Sequence, residues 1–206
     1  MTGQGAASAN LNVSRETLAR LEIFAALLEK WNPRINLVSR NSLPDLWTRH
    51  IADSVQVFRC VTPHGHWLDI GSGGGFPGII IAILAVESAP GLRVTLIESD
   101  QRKSAFLRTA ARETGANCQV IAKRIEAVEP QQADILSARA LADLDTLLGF
   151  AERHLKPEGV ALFPKGATWE KECAAARQRW NFNAEPITSK TDPDAVILKI
   201  EGVSRA

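Results

Sequence analysis

The chain has 206 residues, 45% of them hydrophobic, and a net charge of +1 at pH 7. This length suits one sizeable core with an appended element and is short for two full domains. The near-neutral balance excludes capture of nucleic acid by the global field, so any such contact must come from a local patch.

Residues 1–10, rich in Gly, Ala, Ser and Asn, lack an apolar period and read as a disordered tail. Ser14 and Thr17 open a helix whose apolar positions Leu18, Leu21, Phe24, Leu27, Leu28 and Trp31 keep helical spacing, with a stop near Pro33. A second helix, beginning around Leu43 and Pro44, carries Leu46, Trp47, Ile51, Val55 and Phe58 on one face. Residues 11–62 therefore form a helical cap, and Pro63-His64-Gly65 marks its boundary with a core domain over 63–206.

From there strands and helices alternate: strand 66–70, helix 77–87, strand 93–98, helix 102–114, strands 118–122 and 133–138, helix 141–155, strand 159–164, helix 168–179, and strands 181–187 and 195–200. Such alternation predicts an α/β fold with a mostly parallel sheet covered by helices on both faces. The last two strands follow one another through Ser189 to Pro193 with no helix between them, which predicts an antiparallel hairpin at one edge. The longest apolar run is far short of a membrane span, and the N-terminus lacks a basic stretch followed by an apolar one. Cys60, Cys118 and Cys173 are odd in number and without metal-ligand spacing, so a reducing cytoplasm fits best and no metal site is expected.

The chemistry concentrates where the first strand runs into Gly71-Ser-Gly-Gly-Gly-Phe-Pro-Gly78. Glycines at a strand-to-helix turn let bare backbone approach a ligand. The next strand ends in Glu98, placed to accept both hydroxyl hydrogens of a ribose. Gly73, Gly75 and Gly78 satisfy Gly-x-Gly-x-x-Gly and Glu98 follows twenty residues later, so a nicotinamide-dependent oxidoreductase is one reading. Against it, Asp69 at the strand end would repel a pyrophosphate but could hold a cationic amino-acid group. The terminal hairpin also replaces a second mononucleotide-binding half. S-adenosylmethionine, with an ammonium and a sulfonium, suits an acidic rim better, and a methyltransferase becomes the leading class.

No Pro-Cys pair or Asn-Pro-Pro-aromatic loop serves a pyrimidine carbon or an exocyclic amine. A ring nitrogen such as guanine N7 has a lone pair and no proton to lose, so no general base is needed and no catalytic residue is assigned. Six basic residues and one acidic residue lie between Arg102 and Arg124; they read either as a solvated face or as a phosphate-binding patch.

Taken together, the blocks Lys30-Trp-Asn, Arg49-His-Ile-Ala-Asp-Ser54, Asp69 through Gly78, Glu98-Ser, Lys103 to Arg108, Arg124-Ile-Glu126, Ser137-Ala-Arg139 and Lys165-Gly166 resemble the family of 16S ribosomal RNA guanine-N7 methyltransferases, also called glucose-inhibited division protein B or RsmG. The similarity runs from about residue 14 to residue 200. It implies a Rossmann-like, seven-stranded S-adenosylmethionine-dependent methyltransferase fold of class I, with one antiparallel edge strand. It implies methyl transfer to N7 of a guanine in a decoding-region loop of 16S ribosomal RNA. Cofactor contacts are implied at Gly71, Phe76, Ile125, Glu126 and Arg139, beside Asp69, Gly73 and Glu98. Arg124, Arg139, Lys165 and His50 are the candidates for RNA. The small ribosomal subunit or its RNA is the expected partner and a monomer the default state. A cofactor-sensing RNA-binding or assembly factor without turnover is the alternative from a different class.

Overall fold

The helix Gly78–Ser88 (α3 below) is apolar on every side, with Ile79, Ile80, Ile81 and Ile83 all inaccessible to solvent. A helix of that kind cannot sit on a surface. A computed structural model, which describes residues 10–206, shows how it is covered. The sheet lies under one side of α3, and α1 (Arg15–Ile35), α2 (Ala52–Arg59) and α4 (Gln101–Thr114) pack over the others. Residues 11–62 therefore share a core with α3 and α4: Leu21, Phe24, Leu28, Trp47, Ile51 and Phe58 join Ile80, Phe106 and Leu107 in one cluster. The tail expected over residues 1–10 lies outside the described residues, apart from Asn10.

The seven strands are β1 (His66–Ile70), β2 (Arg93–Ile97), β3 (Gln119–Ile121), β4 (Ala133–Ser137), β5 (Leu155–Lys165), β6 (Trp180–Thr188) and β7 (Val196–Arg205), in the order β3-β2-β1-β4-β5-β7-β6. Strands β1 to β5 pair in parallel, and β7 runs antiparallel to both β5 and β6. The predicted hairpin thus forms the edge, with its antiparallel strand one place in from the rim. Alternation along the central strands splits the core: Trp67, Val94, Leu96, Ile135 and Leu162 face the α1–α4 side. Leu68, Ile70, Leu136, Ala161 and Phe163 face α5 (Leu144–His154) and α6 (Trp169–Ala176).

Several boundaries differ from the sequence reading: β5 begins at Leu155, α6 ends at Ala176 and β7 runs on to Arg205, and three further differences lie in α1, the segment after it and α5. Helix α1 begins as expected, with the Ser14 hydroxyl accepting from the Thr17 N–H at 2.9 Å. It runs past Pro33 to Ile35 and stops at Asn36, whose left-handed backbone (φ 50°) lets its N–H donate to the Asn32 carbonyl. Proline in a last turn removes one hydrogen bond there, and the left-handed residue ends the helix. The helix expected from Leu43 is broken into a 3₁₀ turn at Arg40–Ser42, a widened turn at Leu46–Ile51 with π-type hydrogen bonding, and α2. The widened turn buries Leu46, Trp47 and Ile51 together while leaving Arg49 and His50 beside a cavity. Helix α5 starts at Leu144 because Asp143 caps it, its carboxylate accepting from the Thr146 N–H at 2.8 Å.

Candidate active site

A cavity of about 1050 Å³ opens at the carboxyl ends of β1, β2, β4 and β5, between the sheet and the α1–α2 segment. That is where ligands sit in open α/β sheets. Gly71, Gly73, Phe76, Glu98, Ile125, Glu126, Arg139, Arg124, Lys165 and His50 all line it. Of the residues expected to hold cofactor or RNA, Asp69 is the one that does not.

Asp69 is fully buried. In register it lies opposite Ser137 of β4, whose hydroxyl donates to Asp69 Oδ1 at 2.6 Å. Its Oδ2 has no hydrogen-bond partner and faces Gly78, where a Cβ would come within 2.5 Å of it. Burial pushes this carboxyl up to about 6, against the Ser137 hydrogen bond, which favours the charged form. The acidic rim read from the sequence is therefore a carboxylate beneath the glycine loop, holding β1 to β4. An acid at a strand end has two faces to choose between, and here the strand's alternation points it inward.

The loop itself is tied by backbone and by Glu98. The Ser72 N–H donates to the Ile97 carbonyl at 3.1 Å and the Gly75 N–H to the Ser72 carbonyl at 2.7 Å. Gly71 has φ +64°, a conformation that costs a side-chain-bearing residue strain. Glu98 Oε2 accepts the Gly73 N–H and Oε1 accepts the Asp100 N–H, each at 2.8 Å. A carboxylate oxygen has two lone pairs, so both oxygens keep acceptor capacity on the cavity side. Asp100 in turn caps α4, accepting from the Arg102 and Lys103 N–H groups.

At the middle of the cavity three side chains stack. Phe76 has the His50 ring at 5.1 Å and the Arg139 guanidinium at 4.9 Å from its centroid, and packs edge-on to Phe24. It is both a wall of the cavity and part of the core, being only 4% exposed. Both ring nitrogens of His50 are shielded and without partners, and burial holds its pKa down at about 4, helped by Arg139 and Arg49. The imidazole is neutral at pH 7, and because both nitrogens are shielded His50 presents ring carbon to the cavity.

The cations divide. Lys165 Nζ is mostly buried, pairing with Glu172 at 2.8 Å and donating to the Ala142 carbonyl at 3.1 Å. Glu172 also accepts from the Leu144 N–H, so these groups clamp the 138–143 loop to β5 and α6. Of the basic run, Arg102 pairs with Asp100, Arg112 pairs with Glu113 and Arg108 donates to the Val120 carbonyl. Lys103, Lys123 and Arg124 line the cavity. The sequence reading assigned no role to Asp53, Thr191 or Glu172. Asp53 belongs to the Arg49–Ser54 block but nothing in that block assigns it a role, Thr191 lies in the turn from Ser189 to Pro193, and Glu172 gives no sequence signal.

Comparison with known proteins agrees with this geometry. The family model described as rRNA small subunit methyltransferase G matches residues 17–193. The chain is 63% identical over 201 residues to the ribosomal RNA small subunit methyltransferase G of Ruegeria sp. (strain TM1040), covering 98% of each chain. It is 65% identical to that of Ruegeria pomeroyi over 195 residues, 95% of this chain and 96% of the relative.

The chain belongs to the rRNA small subunit methyltransferase G family. Among solved structures, a SAM-dependent methyltransferase from Aquifex aeolicus superposes with a TM-score of 0.58 at 12% identity, over 85% of this chain and 97% of that one. TYW2 of M. jannaschii in complex with AdoMet superposes with a TM-score of 0.53 at 16% identity, over 76% of each. At those identities the likeness is one of fold, a seven-stranded sheet shared with methyltransferases. In this member of the methyltransferase G family, the cavity fits an amphiphilic nucleoside: Glu98 keeps free acceptor sites, Ile97 and Ile125 offer apolar surface, and Gly71 and Gly73 keep side chains off the loop.

Proposed function

We propose that this chain transfers a methyl group from S-adenosylmethionine to N7 of a guanine in a decoding-region loop of 16S ribosomal RNA. Two of its parts, the S-adenosylmethionine-dependent reaction and the small-subunit RNA substrate, follow from family membership. The guanine and its N7 are what the resemblance of the sequence blocks implies, and the residue roles are our reading of the cavity's lining. The observation that carries the proposal is a cavity at the sheet's switch point with an acceptor carboxylate at one end and cations around its mouth.

Glu98 would hold the ribose hydroxyls, the backbone of Gly71 and Gly73 the methionyl tail, and Ile125 and Glu126 the adenine. When bound, the cofactor supplies a sulfonium methyl: the N7 lone pair forms the new N–C bond, the S–C electron pair returns to sulfur, the positive charge passes to the purine, and no proton has to leave. Arg139, stacked on Phe76, offers N–H donors to the acceptor edge of the base. Its backing by the Arg49 carbonyl at 3.4 Å fixes that direction. Arg49, Lys103, Lys123 and Arg124 are placed for RNA phosphates at the rim. Lys165 acts on RNA only through the loop that it clamps. Positioning, rather than acid–base work, supplies the acceleration.

The substrate places the protein with the small ribosomal subunit, in the cytoplasm, and no described helix is long and apolar enough to cross a membrane. The test is digestion of small-subunit RNA from cells with and without the gene. Loss of one 7-methylguanosine in the deletion supports the proposal, and an unchanged nucleoside profile contradicts it in favour of a factor that binds without turnover.

A further inference from the structure

Along the cavity the strand tips come in the order β2, β1, β4, β5, β7. Glu98 stands at the tip of β2 and Arg139 just after β4, near the middle. At the far end, four strand positions from β2 and so about 19 Å away, the loop between β6 and β7 meets α2. There the Thr191 hydroxyl donates to Asp53 Oδ1, and Gln56 accepts the Lys190 N–H at 2.9 Å.

Asp53 is half-buried and lines the cavity. It forms no ion pair among the described residues, although Arg49 and Arg139 line the same cavity. A desolvated carboxylate with one oxygen held by a hydroxyl and no paired cation is unfavourable unless a ligand brings donors to it. Burial raises its pKa, against the Thr191 hydrogen bond and the nearby charges of Arg139 and Arg49, while neighbouring Asp192 adds to the rise. Asp53, with Asp192 beside it, makes this end of the cavity acidic, in contrast to Arg49, Lys103, Lys123 and Arg124 elsewhere on its lining, and an acid has no use for an RNA backbone.

We propose that Asp53 is the specificity-determining residue of the site, its carboxylate accepting the N1 and 2-amino hydrogens of the target guanine. The inference rests on the reaction proposed above. The order of groups supports it. The edge of guanine runs N7, O6, N1, N2, acceptors first and donors after. From the middle of the cavity outward the protein offers Arg139, a donor, and then Asp53, an acceptor. Adenine, with a lone pair at N1, would meet the carboxylate with repulsion. Once the purine carries the positive charge left by N7 methylation, its N1–H binds a carboxylate more strongly, so Asp53 also favours the product-like state. Thr191 is then a positioning residue that holds one carboxylate oxygen and aims the other.

The experiment compares guanosine with inosine, which lacks the 2-amino group, at the target position of small-subunit RNA, using wild type and Asp53→Asn. For the wild type, inosine should lower kcat/KM by about tenfold to hundredfold, the loss of one charge-assisted hydrogen bond. Asp53→Asn should lower guanosine use by about hundredfold with S-adenosylmethionine affinity unchanged, and the inosine penalty should shrink to about threefold or less. A second variant, Thr191→Val in the exposed loop, should lower guanosine use about fivefold and guards against a folding defect in the first. Equal use of both bases by the wild type, or an inosine penalty that survives Asp53→Asn, leaves the reaction standing and overturns the assignment. Should the wild type methylate neither base at N7, the reading of the reaction fails and takes the assignment with it.

Discussion

Asp69 shows what a single residue's environment decides. Its carboxyl is raised from 3.8 to about 6, chiefly by burial. A group whose folded pKa lies above its unfolded one contributes stability below the unfolded pKa and loses it as pH rises through the folded pKa. Between about pH 4 and pH 6 the wild type should therefore lose stability that an Asp69→Asn variant keeps, up to about 3 kcal/mol for a shift of this size. Urea unfolding at a series of pH values checks this. The variant's advantage should grow across that window and level off above it, and an advantage independent of pH would contradict the account. The glycines of the loop were legible in the sequence because their role is a property of the backbone alone. The direction taken by Asp69 was not, because it depends on Ser137, 68 residues along the chain, and the buried ion pair of Lys165 was not, because it depends on how α6 folds back to bring Glu172 over the end of β5.

At the level of elements, Glu98 joins the loop after β1 to the start of α4, with both oxygens already accepting backbone N–H groups. Glu98→Gln would turn one acceptor into a donor facing another donor. Affinity for S-adenosylmethionine should fall by about tenfold to hundredfold, the worth of one or two hydrogen bonds to a charge. Calorimetry measures it, and the same titration with NAD should give no heat for either protein. Unchanged affinity in the variant would remove Glu98 from the site, and tight NAD binding would revive the oxidoreductase reading. The alternation of strands and helices, including the terminal hairpin, could be read from periodicity because each element's pattern is local. The break at Leu46–Ile51 could not, since a widened turn keeps the apolar spacing of a helix and only hydrogen bonding distinguishes it. That break is what brings Arg49 and His50 to the cavity.

Over the whole molecule, a net charge of +1 conceals a local asymmetry. The pairing of Arg102 and Arg112 with neighbouring acids leaves Lys103, Lys123, Arg124 and Arg49 at the cavity mouth. If these four cations each displace a counterion, log affinity for small-subunit RNA should fall with log salt at a slope of about −3. Replacing Arg124 with Ala should reduce that slope by about one unit. A slope near zero would mean that the rim does not touch phosphate. The sequence could show that six basic residues lie close together, but not which of them find partners on their own helix, because that depends on side-chain direction around α4. The central claim has a more direct test. Purified protein is mixed with S-adenosylmethionine carrying a deuterated methyl group and small-subunit RNA from cells lacking the gene, and the digested nucleosides are analysed by mass spectrometry. One deuterated 7-methylguanosine per RNA is the predicted result; label in any other nucleoside, or in none, would contradict it.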